Sequence, residues 1–148
     1  MTDPLSITAS VITIVTIAYS SCKTLYETVK DIRDAPQTFV DLTADLNALR
    51  QVLSSLSSKL DEDDKRDNLS AAQRTCLIEL KVPLEACADA CEQFQLKLNK
   101  VRSHSSDGHT SFRDRVRLQF QDKEVTAFRH RLTSYKSTLN IALALASL

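Results

Sequence analysis

Polar side chains recur at helical spacing near the start of the chain. Ser6, Ser10, Thr13, Ser20, Thr24, Glu27 and Asp31 form one stripe, and Ile7, Val11, Ile14, Ala18, Leu25, Val29 and Ile32 form the opposing one, widened by Val15, Cys22 and Tyr26. Nine of the eleven residues from Ile7 to Ile17 are β-branched, so local propensity by itself favours a strand. Two-residue alternation, however, would place Ile12 and Ile14 with Ser6 and Ser10, an arrangement that no half-buried strand wants. The pattern therefore predicts one amphipathic helix over residues 4–33. Asp3 is its N-cap, and Pro4 suits the first helical position because its missing N–H has no intrahelical partner there.

Pro36 sets the next boundary, since the residue before a proline avoids helical geometry. From Phe39 through Leu42, Leu46, Leu49, Leu53, Leu56 and Leu60 the apolar positions alternate steps of three and four, a seam suited to packing against other helices. The charged run DEDDKRDN at 61–68 has the composition of a solvated turn. Ser70 followed by Gln73 is a capping box that opens a third helix with the stripe Leu77, Leu80, Leu84, Cys87, Cys91, Phe94, Leu98 and Val101. Pro83 is expected to kink or split that helix near Val82, because it removes one hydrogen bond and clashes with the preceding turn. RSHSSDGHTS at 102–111 contains the chain's one glycine and reads as a loop. Ser111 and Asp114 then cap a short helix with Phe112, Val116 and Phe120 inward, and a last helix carries Val125, Phe128, Leu132, Tyr135, Leu139 and Ala142; the two are either continuous or divided at Asp122, which is a weak boundary signal. The sum is an all-α fold, one domain over residues 1–148: an antiparallel bundle of four long helices and one short helix.

Composition narrows the function. One glycine and three prolines in 148 residues leave too little turn chemistry for an all-β fold. Nineteen Lys and Arg balance nineteen Asp and Glu, so the global positive field of a nucleic-acid binder is missing and no nucleic-acid partner is expected. Four cysteines with no convincing secretory signal read as reduced thiols of a cytoplasmic protein.

Candidate chemistry is sparse. Cys87, Cys91, His104 and His109 match the zinc-finger spacing Cys-x3-Cys-x12-His-x4-His. A finger places its cysteines on a hairpin and its histidines on a helix, whereas here the cysteines sit in a helical apolar stripe and the histidines in a loop. The thiols are therefore read as small core hydrophobes, with zinc as the alternative, and no metal or cofactor is assigned. There is no phosphate-binding glycine loop, no Gly-x-Ser-x-Gly, and no carboxylate or nucleophile placed to serve His104, His109 or His130, so no enzyme is expected and no catalytic residue is named. From Ser111 to Lys136 seven basic residues face three acidic ones. Arg113, Arg115 and Arg117 form either an ordinary solvated face or a contact for anionic lipid headgroups.

Pro4 to Cys22 contains no charge, and its nineteen residues would span about 28 Å as a helix, close to the thickness of a bilayer's hydrocarbon. Its hydroxyl-bearing face would meet lipid in a lone span and suits a helix that buries one side in protein or lies in the interface. A signal peptide fits poorly, because a basic n-region is missing and Asp3 comes first. The expectation is a core helix at rest, with membrane as a second destination for its apolar stripe.

DPLSITASVITIV at the start, LEACADACEQF in the middle and SYKSTLNIALALA near the end make the chain resemble the fungal HeLo-like N-terminal domain. That domain is found at the front of STAND or NLR-type and ankyrin-repeat proteins, and the family is also labelled by an azaphilone-pigment-cluster protein L. The resemblance spans essentially the whole chain. It implies an all-α bundle akin to domains acting in fungal programmed cell death and heterokaryon incompatibility, which are thought to insert their N-terminal helix into membranes once a C-terminal sensor oligomerises them. Carried over, the inserting element would be Leu5, Ile7, Val11, Ile12, Ile14, Val15 and Ile17. The chain is then either a domain excised from a longer protein with a sensor or a standalone relative. The expected function is a cell-death effector that associates with itself, moves from cytoplasm to an anionic plasma membrane and engages it through the first helix. The other class of function compatible with the pattern is a passive interaction or oligomerisation module that never touches lipid.

Overall fold

In a computed structural model that describes residues 4–33, 35–66, 70–104 and 112–146, every regular element is a helix. They are α1 (Pro4–Lys30), α2 (Gln37–Arg66), α3 (Ala71–His104), α4 (Phe112–Gln119) and α5 (Asp122–Ala146).

The long helices bury one stripe each, with the same alternation of three- and four-residue steps. On α1 and the turn after it, the stripe is Val11, Val15, Ala18, Cys22, Leu25, Val29 and Ile32; on α2 it is Phe39, Leu42, Leu46, Leu49, Leu53, Leu56 and Leu60. On α3 it runs from Leu77 through Leu84, Cys87 and Cys91 to Val101, and on α5 it is Val125, Phe128, Leu132, Leu139 and Ala142. These merge into one core, which is the outcome that coiled-coil-like spacing on four helices dictates. The helices pack as a ring in which α1 touches α2 and α3, while α5 closes the far side against the same two.

Side-chain contacts fix the directions. The short connection from Lys30 to Gln37 turns α2 back antiparallel to α1, with Cys22 against Leu46, and Ser21 and Thr28 meet Glu92 and Gln95, so α1 runs parallel to α3. Phe94 with Phe128 and Lys97 with Glu124 set α5 antiparallel to α3. The first residues of α1 therefore lie beside the end of α2 and the start of α3. At the opposite end Phe39, Phe94, Phe120 and Phe128 form a cluster with centroid separations of 4.4 to 6.2 Å, and α4 delivers Phe120 into it.

Four boundaries differ from the sequence expectation. α1 ends at Lys30, with Asp31 N–H donating to the Glu27 carbonyl and Ile32 N–H to that of Val29 as the last turn tightens before Pro36. The charged run after Leu60 continues α2 to Arg66 instead of turning, because Glu, Lys and Arg are good helix formers and a helix already nucleated extends at little cost. α3 passes unbroken through Pro83, held in register by Leu77, Leu80, Leu84 and Cys87 on both sides of it. It also runs on to His104, past the expected loop start at 102. The capping box is present as read: Gln73 N–H donates to Ser70 Oγ at 3.1 Å, and Ser70 N–H donates to Gln73 Oε1 at 2.8 Å. Asp122 begins α5, after a break at Phe120 and Gln121. The Asp3 and Ser111 caps and His109 lie outside the described residues.

Candidate functional site

α1 is the one long helix whose first nineteen residues carry no charge, and its surroundings decide what it can do. Of the residues expected to insert, Val11 and Val15 are fully buried against α2 and α3. Ile12 and Ile14 are half-buried at the edges of that stripe, and Ile17 points outward, 47% exposed. Leu5 and Ile7 belong to α1, but their side chains lie outside those described. The structure thus splits the expected element into a stored face and a displayed one.

The displayed face is formed by Ala9, Thr13, Thr16, Ile17 and Ser20. Thr13 Oγ1 donates to the Ala9 carbonyl at 3.0 Å, and Thr16 Oγ1 to that of Ile12 at 2.8 Å. Both threonine hydroxyls are thereby satisfied within their own helix, and there the face offers methyl groups. Such a surface tolerates a low-dielectric neighbour far better than its serine and threonine content suggests.

Side-chain bonds from α1 to α2 and α3 gather in its second half. The bonds of Thr13 and Thr16 stay within the helix. From Ser21 onward the contacts reach outward: Ser21 Oγ donates to Glu92 at 3.2 Å, Cys22 Sγ donates to the Leu46 carbonyl at 3.4 Å, Arg50 lies 5.1 Å above the Tyr26 ring, and Gln95 donates to Thr28. Ion pairs join α5 to both of its neighbours: Arg129 with Asp45 at 2.6 Å and Asp41 at 3.6 Å on α2, and Lys97 of α3 with Glu124 at 2.6 Å. Hydrogen bonding to Asp45 raises the Arg129 pKa, partly opposed by burial.

Magnitudes separate two motions. Freeing all of α1 would expose Val11, Val15, Leu25, Val29 and Ile32, about 8–15 kcal/mol at 1.5–3 kcal/mol per side chain. That equals the whole stability of a typical domain, about 5–15 kcal/mol. Freeing the helix only as far as Ser20 exposes Val11, Val15 and the small Ala18, an apolar term of about 3–6 kcal/mol that a new apolar environment can offset, together with the buried Thr8.

The basic residues are not brought to this place. Arg115 and Arg117 lie on α4 at the aromatic end of the bundle, away from the first turns of α1. Arg115 is half-buried, with its Nε enclosed and lacking a hydrogen-bond partner, while Arg117 is exposed. Arg113 is in the same helix, its side chain outside those described.

The sequence reading missed one cluster. Cys22 of α1 and Cys87 and Cys91 of α3 share the core, all three fully buried and free. Hydrogen bonding to Cys22 and then Cys87, together with burial, pushes the Cys91 thiol far above its usual range. The signal was available, since each of these cysteines occupies an apolar stripe on helices that share a core. As a zinc set with His104 the pair fails on geometry: Cys91 and His104 are thirteen residues apart on one continuous helix, about 20 Å, and no single ion spans that. Among the described residues no group of three or more His, Cys, Asp or Glu could hold a metal, and no helix is long and apolar enough to cross a membrane.

Compared with known protein families, residues 2–148 match the family described as pigment biosynthesis cluster protein PigL N-terminal. No curated protein and no solved structure matches.

Proposed function

The chain belongs to the pigment biosynthesis cluster protein PigL N-terminal family, and from that premise we propose that it is a non-catalytic signalling domain of the fungal cell-death effector type, acting by self-association and membrane engagement through α1. The observation that carries this reading is the build of α1 before Ser21. That segment is uncharged, its exposed Thr13 and Thr16 hydroxyls are satisfied within the helix, and its inner face packs Val11, Val15 and Ala18 against the bundle.

In this mechanism residues 4–20 swing away from α2 and α3 while the ties from Ser21 onward hold. Val11, Val15 and Ala18 then join Ile12, Ile14 and Ile17 on a helix with no charge on any side. Apolar surface of that extent in water drives association, either with the same segment of other copies or with lipid. The helix lies in the interface or packs beside its copies, since its hydroxyls disfavour a solitary span. α1 alone carries the contact. At about 1.5 Å per residue its 27 residues separate its first turn from the α4 arginines by about 40 Å, so an approach by the N-terminal end leaves Arg115 and Arg117 facing away. A sensor in a longer protein would supply the trigger, and the domain would rest in the cytoplasm before moving to the plasma membrane.

Leakage of dye from anionic vesicles tests this. Ile17 is half-exposed, so Ile17→Glu keeps the fold, and a carboxylate at membrane depth costs about 2.5–3.5 kcal/mol, about a hundredfold in the inserted population. Wild type is expected to release dye, Ile17→Glu to lose that activity, and Arg115→Gln/Arg117→Gln to retain it. A wild-type protein that neither binds nor permeabilises vesicles of any composition would overturn the proposal and leave a passive interaction module.

A further inference from the structure

We propose that the cleft between α3 and α5 binds a single-chain anionic amphiphile, a long-chain carboxylate, with its head on Arg131 and its chain along α3. The site is independent of the proposed function: α1 meets α3 through Glu92 and Gln95, neither of which lines the cleft.

The cleft has a volume of about 650 Å³, within the range of small-molecule sites. Ala86 and Ala90, one turn apart on α3, leave the room, since neither has a side chain beyond Cβ to fill the space beside Arg131 and Tyr135 of α5. The two alanines belong to a row. Ile78, Val82, Ala86, Ala90 and Phe94 follow one another at four-residue spacing, and each step carries the row about 40° further round the helix. It therefore passes from solvent at Ile78 and Val82 into the core at Ala90 and Phe94, a track about 24 Å long. The contacts of Phe94 with Phe128 and of Lys97 with Glu124 set the end of α5 level with the first turns of α3, so Ile141 and Leu145 stand beside the outer end of this track. All four of these large aliphatic side chains are half exposed or more, and apolar surface gathered in this way marks a binding site.

Charge selects the occupant. Lys97, Lys100 and Arg131 line the cleft against Asp89 and Glu124, a surplus of one positive charge that a single carboxylate cancels. Lys97 is already neutralised by Glu124 at 2.6 Å. Arg131, held 5.7 Å from the Phe128 ring, enters none of the ion pairs among the described residues, and its planar fork matches a carboxylate. Lys97 and Lys100 lie past Phe94, whereas the track from Ala90 back to Ile78 is apolar. An alkyl chain ending in one anion meets both halves: the chain covers the row on α3 and the exposed aliphatics beside it, and the head reaches Arg131.

Calorimetric titration of the full chain with dodecanoate, kept below its aggregation concentration, is expected to show saturable binding of one molecule per chain. Dodecylammonium should bind at least about tenfold more weakly, and Arg131→Gln, at an exposed position, should weaken dodecanoate by about tenfold as a charged hydrogen bond is lost. Ala86→Leu fills the cleft, and Val82→Asp puts a charge on the exposed end of the track. Each should weaken dodecanoate by about tenfold or more, so poor folding of the first leaves the second decisive. No saturable binding, equal binding of the ammonium, or unchanged affinity in Val82→Asp and Arg131→Gln overturns the site. A chain that binds dodecanoate in this way yet leaks no vesicles keeps the site and sinks the membrane reading.

Discussion

Cys91 is fully buried in the core it shares with Cys22 of α1 and Cys87 of its own helix, and hydrogen bonding to them together with burial pushes its thiol far up; Tyr135 of α5 lies close enough to feel both α3 thiols. Tyr135 is itself pushed up, chiefly by burial. A thiol whose pKa is raised on folding stays protonated in the native state while the unfolded chain loses its proton, so stability is full below the unfolded value and falls as pH rises above it. For Cys91 that fall begins near pH 8.5, with a limiting slope of about 1.4 kcal/mol per pH unit. Denaturant titrations between about pH 8 and pH 10 should show wild type losing stability faster than Cys91→Ala. Parallel curves would mean that the thiol ionises as easily inside the bundle as outside. Packing gives a second contrast at this scale. Leu53→Ala, at a fully buried position, should cost about 2–5 kcal/mol, whereas Val82→Ala, 73% exposed, should stay within about 0.5 kcal/mol in the same titration.

At the scale of elements, what local arithmetic could reach was legible and what depends on neighbours was not. The stripe from Phe39 to Leu60 and the reciprocal bonds of Ser70 and Gln73 need only spacing along one segment. The extension of α2 to Arg66 and the continuity of α3 through Pro83 need the flanking turns, which outweigh the local preference of a charged run or a proline. The same divide runs through the candidate site. That α1 has an apolar face was readable from Val11, Ala18, Leu25 and Val29, but whether Ile17 was stored or displayed depended on where α2 and α3 lie. The capping box offers a test at this scale. Ser70→Ala should cost about 1 kcal/mol, and Gln73→Ala added to it should cost little more, because each residue answers the other's N–H and the losses are not independent. Fully additive losses in a double-mutant cycle would show that the pair does not act as a unit.

The whole molecule is polar in its construction. One end is closed by four interlocked phenylalanines and by Lys97, which pairs with Glu124 while lying 4.4 Å from the Phe120 ring. Towards the other end, where α1 begins, Val11, Val15 and Ala18 contribute small aliphatic contacts. Large aromatic side chains bury the most area and gain further from ring-to-ring geometry, so local stability should fall from the α4 end towards the start of α1. This asymmetry follows from topology: the phenylalanines come from α2, α3, α5 and the residue after α4, and the loops bring them together, so no single stripe announces it. Native-state hydrogen exchange measured against increasing denaturant reads the gradient directly. Amides of residues 9–20 are expected to exchange through a partial opening, below the global unfolding free energy by more than about 1 kcal/mol, while those around Leu46, Leu49, Phe94 and Leu98 exchange only on global unfolding. Val15→Ala should lower the first class and the global value together. Phe128→Ala, at the locked end, should lower the global value and bring it towards the α1 opening. If residues 9–20 prove as protected as Phe94, the bundle opens only as one unit, and an α1 that leaves ahead of the rest has no physical basis.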